Sequence, residues 1–297
     1  MNENIDTPSS NETTGHYVRK LKTGDILDSM FSLYRNNYTQ YLSIAMIYFL
    51  AIVIEYSLKG IIPGRIQQSL IPLLISIPIG IFAIGSGIYV TGSLYMDKTT
   101  SLDNSFKHVI HRILPLIGSS LIVRGIIIIG LLSVSFSIIQ TFTVGPQGIL
   151  IGFIVLPITV YILVKWIFHL PIILFENPKI THCFIKSSAL VKNSWWRILG
   201  ILILILIITY AIDSIITFSV AFVMLLFKLG ANTDYITLLR WKFMDGILDS
   251  NNLIFYSTMT FVKLVTQSLV VPLWVIGYSL LYIDRRIQVE GNFDFPD

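Results

Sequence analysis

Six long apolar segments separated by shorter polar ones set the pattern of this chain. They run from Tyr41 to Leu58, Leu70 to Met96, Leu114 to Ile139, Ile149 to Phe175, Ile198 to Phe227 and Leu253 to Ile283. A helix needs about 20 apolar residues to cross the hydrocarbon core of a bilayer. The pattern therefore predicts an all-α polytopic membrane protein with six transmembrane helices.

The apolar segments also repeat in pairs. The second segment of each pair has a proline between branched residues, at Pro78, Pro157 and Pro272. The approach to the first segment, Ser32 to Ile44, aligns without gaps with the approach to the fifth, Ala189 to Ile201. We interpret the chain as three repeats, each an amphipathic helix followed by a transmembrane hairpin; the alternative is a resemblance through apolar composition alone. Because each repeat has two spans, all three share one orientation and are parallel repeats.

A short amphipathic helix is expected ahead of each hairpin. These helices cover residues 25–36, 102–112 behind a Ser101 cap, and 180–193. The apolar face of the first one contains Ile26, Met30, Leu33 and Tyr34. We expect such helices to lie in the headgroup plane with the apolar face toward the lipid. The aromatic residues beside them are expected to anchor the interface; they are Tyr38, Tyr41, Trp195 and Trp196.

These elements predict a single membrane domain over residues 17–291. Its repeats run from about 24 to 96, from 101 to 175 and from 180 to 286. Residues 1–16 are rich in Asn, Thr, Ser and Glu and are predicted to be a disordered tail, and residues 292–297 form a short C-terminal tail. The outer loop from Lys228 to Asn252 also has helical spacing, and we interpret it as an interfacial lid or a plain connector.

The composition agrees with a membrane location and excludes several classes of protein. The chain is 54% hydrophobic and 13% charged, with a mean hydropathy of +0.74, whereas ordinary domains have about 25% charged residues. This excludes a cytosolic enzyme and a disordered protein. The single cysteine, Cys183, excludes an internal disulfide and a thiolate metal cluster. The net charge of +4 reflects topology and does not indicate nucleic-acid binding.

Lysine and arginine are distributed unequally between the two sides of the predicted domain. Most lie before the first span, in the second and fourth loops and after the last span, as do Arg19, Lys107 and Lys186. The positive-inside rule then predicts that both termini are cytoplasmic. The first forty residues have no apolar h-region, so we expect no cleavable signal peptide. The expected location is a prokaryotic cytoplasmic membrane.

Four ionisable residues fall well inside the predicted spans, namely Arg124, Lys165, Asp213 and Lys263. A charge at the centre of a transmembrane helix costs about 2.5–3.5 kcal/mol, so these side chains are not expected to face lipid. One hypothesis is a seam in which Arg124, Lys165 and Lys263 bind an anionic ligand, with Asp213 as counter-ion. In the alternative, Asp213 pairs with Lys263 or Arg124 and only fixes the helix register. Glu55 lies near the outer end of the first span, where we expect it to snorkel to the interface.

The remaining motifs predict no catalytic residue, no metal and no cofactor. The sequence contains no HExxH, GxSxG, Walker A or GxGxxG motif. The charged run from Asp284 to Arg286 follows the sixth span and is interpreted as a headgroup boundary. Two pairs of small residues at a four-residue spacing, Ala83 with Gly87 and Gly148 with Gly152, are suited to close helix packing.

Three further segments run from Gly24 to Tyr38 (GDILDSMFSLYRNNY), from Ser187 to Gly200 (SSALVKNSWWRILG) and from Val271 to Arg286 (VPLWVIGYSLLYIDRR). Together they resemble the membrane-domain family of glycerophosphoryl diester phosphodiesterases. Prokaryotic members of that family are multi-helix membrane proteins, some with an attached phosphodiesterase domain. The sequence here contains no such domain, so the resemblance implies a membrane region without that enzymatic activity.

Two hypotheses for function follow. In the first, the protein is a non-catalytic integral membrane module that binds, or helps to move, a lipid or another anionic ligand. In the second, it is a structural scaffold or subunit of a membrane complex with no ligand of its own. The expected partners are membrane lipids, with another membrane protein or a homo-oligomer as further options, and no nucleic acid.

Overall fold

A computed structural model describes residues 22–61, 65–96, 98, 101–143, 145, 147–227 and 253–291. Within these residues the chain forms ten α-helices and no β-strand. The helices are α1 (Thr23–Asn36), α2 (Tyr38–Ile61), α3 (Arg65–Tyr95), α4 (Leu102–His111), α5 (Ile113–Thr143), α6 (Gln147–Lys165), α7 (His169–Glu176), α8 (Ile180–Val191), α9 (Trp195–Leu226) and α10 (Leu253–Glu290).

Six stretches of helix are long and apolar enough to cross a membrane. They comprise α2, α3, α5, α9 and α10 together with the α6–α7 pair, and they correspond to the six apolar segments of the sequence. The chain is therefore an all-α polytopic membrane protein, as predicted. The tails expected over residues 1–16 and 292–297, and the lid or connector from Lys228 to Asn252, lie outside the described residues.

The order of the helices repeats three times. A short helix precedes a long hairpin in α1–α2–α3, in α4–α5–α6 and in α8–α9–α10. Tyr38 and Trp195, which the ungapped alignment places at equivalent positions, are the first residues of α2 and α9. Pro78, Pro157 and Pro272 lie inside α3, α6 and α10. This order of elements confirms the predicted three-repeat architecture.

The fourth span differs from the prediction because it is broken into two helices. α6 ends at Lys165, and residues 166–168 form a turn before α7. The Ser187 hydroxyl of α8 closes this break, donating to the carbonyl of Lys165 (3.0 Å) and accepting from the amide of Phe168 (3.2 Å). Non-helical backbone is tolerated at membrane depth when protein groups satisfy it in this way. The prediction of one unbroken span from Ile149 to Phe175 is wrong at this turn.

The two ends of the bundle are packed differently. The end that contains α7 and α8 is called the basal end here, and the opposite end the distal end. At the basal end α7 is buried along nearly its whole length, with α4, α8 and the end of α10 bonded to it or packed against it. Towards the distal end α5, α6 and α9 expose large apolar side chains such as Leu131, Phe153 and Phe222, as expected for helices surrounded by lipid.

The three short helices bury their apolar faces against the protein. Ile26 and Met30 of α1 are fully buried, and Met30 lies beside Gly277 of α10. Val109 of α4 packs beside Gly85 of α3. The amphipathic helices are thus confirmed, but the prediction that their apolar faces meet lipid is wrong because neighbouring spans cover those faces.

The aromatic residues expected at the interface fall into two groups. Tyr38 and Trp196 are exposed, with 61% and 79% of their surface accessible. Tyr41 is fully buried, and its hydroxyl lies 3.0 Å from that of Thr91 on α3. Its predicted role as an anchor is therefore wrong, since this phenol joins α2 to α3 inside the bundle.

Candidate functional site

Arg124, the first of the four predicted site residues, lies next to an acidic residue. It is on α5 and interacts electrostatically with Glu55 and Tyr48 of α2. Glu55 in turn accepts a hydrogen bond from Ser76 of α3 (2.9 Å) and pairs with Lys59 (2.8 Å). The Glu55 carboxylate thus lies between the Ser76 hydroxyl and the Lys59 ammonium group, and its snorkelling to the interface stays a prediction. Arg124 thus has an anionic neighbour that the sequence argument did not count.

Lys165 lines a cavity of about 440 Å³ at the basal end, called the basal pocket here. The residues lining it are Tyr161, Lys165, Ser188, Ala189, Val191, Lys192, Asn193 and Trp195. Nζ of Lys165 lies 6.0 Å from the centroid of the Tyr161 ring, at the outer limit of a cation–π contact. As far as the described residues line the pocket, it has two cations and no acid, so its electrostatic potential is positive.

Three helix ends build the basal pocket. The end of α6 supplies Tyr161 and Lys165, the end of α8 supplies Ser188, and α9 begins at Trp195. The link from α8 to α9 is tight because Asn193 has a φ of 66°, a left-handed conformation that asparagine tolerates better than most residues. Because α9 begins at Trp195, in the wall of the pocket, the positive end of its helix dipole adds to the charge of the two lysines.

Asp213 and Lys263 lie on the two helices of the third hairpin. Ile205 of α9 packs beside Gly277 of α10, which fixes the register of this antiparallel pair. At a rise of 1.5 Å per residue, Asp213 is level with Leu269, and Lys263 is about 9 Å nearer the distal end. The hypothesised ion pair of Asp213 with a nearby cation stays a prediction.

The structure thus distributes the four predicted residues over different surroundings. Arg124 lies beside α2, Lys165 lines the basal pocket, and Asp213 and Lys263 belong to the α9–α10 hairpin. Among the four, Lys165 is the one that the described residues place at a cavity with a second cation. That cation, Lys192, was missed by the sequence analysis, although it lies within the segment SSALVKNSWW that precedes the fifth span.

Sequence reasoning also missed a network of paired charges at the basal end. Nζ of Lys186 lies 2.6 Å from a carboxylate oxygen of Glu176 and 2.8 Å from one of Glu290. Arg286 pairs with Glu290 at 3.0 Å, and the Tyr282 hydroxyl donates to Glu176 at 3.0 Å. Burial alone would lower the pKa of Lys186, but the hydrogen bonds to the two carboxylates raise it. The network joins α7, α8 and α10.

The charged run after the sixth span is part of the folded core. α10 continues through it to Glu290, and Asp284, Arg285 and Arg286 are all less than 10% exposed. Arg197 of α9 donates to Asp284 (3.0 Å), and Arg285 donates to the carbonyl of Leu190 (2.9 Å). The interpretation of this run as a headgroup boundary is wrong, because partners distant in sequence bind its charges inside the protein.

The histidines and the cysteine at the basal end serve packing contacts. His108 of α4 is hydrogen-bonded to the carbonyl of Leu174 (2.9 Å), and Arg112 donates to the same oxygen. Burial lowers the pKa of His108 and raises the pKa of Cys183 to about 11, so the neutral forms of both side chains are favoured. In the part of the chain that the structure describes, no three His, Cys, Asp or Glu residues are grouped to hold a metal ion.

The small residues predicted to allow close packing are used within the chain. A Cβ atom at Gly87 of α3 would lie 2.8 Å from Val275 of α10. The amide of Gly152 on α6 donates to the Ser137 hydroxyl of α5 (2.9 Å). The scaffold hypothesis therefore loses Gly87 and Gly152 as docking residues for another protein.

Comparisons with protein-family models, with characterised proteins and with solved structures found no match to this chain. The function proposed below therefore rests on the residues of the chain and their arrangement.

Proposed function

We propose that the protein is a non-catalytic integral membrane module that binds the phosphate-bearing headgroup of an anionic lipid in the basal pocket. One observation carries the proposal: Lys165 and Lys192 line the same cavity beside Tyr161 and Trp195. Lysine binds phosphate as a compact point charge, while tyrosine and tryptophan favour the boundary between headgroups and hydrocarbon. The pocket therefore has cations to bind a phosphate group and aromatic side chains suited to the depth at which lipid headgroups lie.

Ion pairs elsewhere at the basal end favour the basal pocket as the anion-binding site, because they already neutralise other cationic side chains there. Lys186, Arg197 and Arg286 are each bonded to a carboxylate, so their charges are largely compensated within the protein. Within the described residues neither lysine of the pocket forms such an ion pair. Its volume of about 440 Å³ also falls in the range of roughly 300–1,000 Å³ that is usual for ligand pockets.

The proposal includes an orientation and a location. We propose that the basal end and both termini face the cytoplasm of a prokaryotic cell, because the sequence places most lysine and arginine on that side. Anionic lipids attract basic groups at the cytoplasmic leaflet, so the pocket would meet its ligand there.

We also propose membership of the glycerophosphoryl diester phosphodiesterase membrane-domain family. The support is the resemblance of the segments 24–38, 187–200 and 271–286. The second of these contains Lys192 and Trp195 of the basal pocket, so the resemblance and the proposed site overlap in the chain.

Native mass spectrometry of the protein purified in mild detergent tests the proposal. We expect a stoichiometric anionic phospholipid on the wild type and a loss of at least about tenfold in its retention in the Lys165→Met, Lys192→Met double variant, since losing about 1.4 kcal/mol of binding energy has that effect. The matched control is Lys107→Met with Lys179→Met, which removes two exposed cations and should leave retention unchanged.

Two further arms distinguish the alternatives. Equal lipid retention in the pocket variant and the control would refute the basal pocket as the site, and loss in Arg124→Gln or Lys263→Met instead would place the ligand within the spans. Competition between phosphatidylglycerol vesicles and soluble glycerol phosphate distinguishes a lipid from a soluble ester. The proposal requires that the vesicles compete and that the soluble ester does not.

A further inference from the structure

The α9–α10 hairpin contains a polar layer between two apolar layers. On the basal side, α9 packs through Ile198, Ile201 and Ile205, which are at most 2% exposed. On the distal side, the apolar layer comprises Ala221, Met224, Phe255 and Met259. The polar layer between them comprises Thr209, Asp213, Ser214 and Thr217 of α9 and Lys263, Thr266 and Ser268 of α10. So many polar residues at this depth require partners, because lipid offers none.

Two hydroxyl groups in this layer have no hydrogen-bond partner among the residues that the structure describes. Thr217 is 1% exposed, and within the described part of the chain its Oγ1 makes no hydrogen bond. Oγ of Ser214 is also buried without one. By contrast, Thr209 and Thr266 donate to carbonyls of their own helices at 2.9 and 2.8 Å. Buried polar groups are almost always hydrogen-bonded. The two unsatisfied hydroxyls therefore indicate that a small polar molecule or ion binds here.

Thr217 is the centre of this group on α9. Ser214 and Thr217 are three residues apart and Asp213 and Thr217 four apart, so the side chain of Thr217 is a neighbour of the other two on the helix surface. Oδ1 of Asp213 is also buried. A buried water typically makes about three hydrogen bonds to polar groups of this kind.

We propose that the polar layer of the α9–α10 hairpin is a binding site for water within the bilayer, formed by Ser214, Thr217 and the Asp213 carboxylate. Water suits the site because it donates to the carboxylate while donating to or accepting from either hydroxyl. A metal cation suits it less, because Lys263 adds a positive charge to the same layer.

The sign of a stability change tests this proposal. With bound water, Thr217→Val removes a hydrogen bond and lowers the melting temperature in detergent by about 2–4 °C or more, whereas Thr217→Ser keeps the hydroxyl and stays near the wild type. Thr266→Val is the matched control, because that buried hydroxyl bonds only to its own helix. If the site is dry, Thr217→Val removes an unsatisfied group and raises the melting temperature, which overturns the proposal.

A second measurement, by NMR, detects the bound water directly. In water-edited solid-state NMR of the protein in liposomes, we expect polarisation to pass from water to Thr217 faster than to Ser133, which is half-buried on α5 and donates a hydrogen bond to a carbonyl of its own helix. Equally slow transfer to both residues overturns the proposal. Replacing sodium by choline should leave the melting temperature unchanged; a stabilisation specific to sodium and lost in Thr217→Val would assign the site to a cation instead.

Discussion

At the scale of single residues, Gly87 shows how a missing side chain sets a helix–helix distance. A Cβ atom there would lie 2.8 Å from Cγ1 of Val275, a branched side chain that cannot easily turn away. At Gly277 the nearest atoms are the flexible ends of Ile205 and Met30, and at Gly125 the space within 4 Å is open. The same substitution should therefore have different effects at these three glycines.

We expect Gly87→Ala to lower the free energy of unfolding by about 1–2 kcal/mol, because overpacking of about 1–3 kcal/mol outweighs the gain of up to about 1 kcal/mol in helix propensity. Gly125→Ala gains propensity without a clash and should be neutral or stabilising. Unfolding in mixed micelles measures both. A Val275→Ala change should relieve the first variant, and identical effects at Gly87 and Gly125 would contradict the close approach of α3 and α10.

Residue-scale chemistry is also where the sequence was most and least informative. It singled out Lys165 because a charge inside an apolar run is conspicuous. It passed over Lys192 because a lysine in a polar link resembles any surface cation. Only the folded structure shows that the two lysines belong together, because the ends of α6, α8 and α9 line one cavity that contains both. A site formed by three distant helix ends has no local signature in the sequence.

At the scale of elements, hydrophobic periodicity predicted the helices well and their ends poorly. The break at residues 166–168 lies just before Pro171, which has no N–H to bond to the carbonyl of Ile167 and whose ring clashes with it. The Ser187 hydroxyl, which approaches from α8, binds the open backbone of the break. Likewise α10 continues through Asp284 to Arg286 because carbonyls and side chains of other helices bind these charges. Pro171 was a local signal for the break, whereas the continuation of α10 depends on partners that only the tertiary fold supplies, and a local pattern cannot report these.

The attachment of α4 to α7 should depend on pH through His108. Burial lowers the pKa of His108, and the hydrogen bond to Leu174 and the charge of Arg112 act in opposite directions on it. The folded state thus favours the neutral ring. Its contribution to stability is complete above the ordinary pKa of about 6.5 and is lost as the pH falls from there towards the lower folded pKa. We expect the melting temperature to fall between pH 7.5 and pH 5.5.

The His108→Gln variant should lose part of that pH dependence, because glutamine keeps a hydrogen-bonding group but does not titrate in this range. His182→Gln, a change at an exposed histidine of α8, serves as the control and should retain the full dependence. Thermal melts of the three proteins at matched ionic strength measure the difference. Equal pH dependence in all of them would show that protonation of His108 does not loosen α4.

At the scale of the whole molecule, the two ends are stabilised by different forces. Towards the distal end the helices meet lipid through large exposed apolar side chains. The basal end is held by internal charge pairs that connect α7, α8, α9 and α10. This division agrees with the proposed function, because a rigid basal end keeps the basal pocket open while the spans adapt to the membrane.

The Arg197–Asp284 pair provides a test of that division. The Asp284 side chain is 2% exposed and that of Arg197 is 26% exposed, so Asp284→Asn leaves a partly buried cation without its counter-charge. Removing one partner of a buried pair costs about 3–5 kcal/mol of stability, and we expect about 2–3 kcal/mol here because Arg197 is partly hydrated.

The control is Asp103→Asn, which breaks the Lys107–Asp103 pair, whose side chains are 67% and 70% exposed, and should cost less than about 1 kcal/mol. Unfolding of both variants in the same detergent gives the comparison. A loss as small for Asp284→Asn as for Asp103→Asn would mean that apolar packing, and not the paired charges, holds the basal end together.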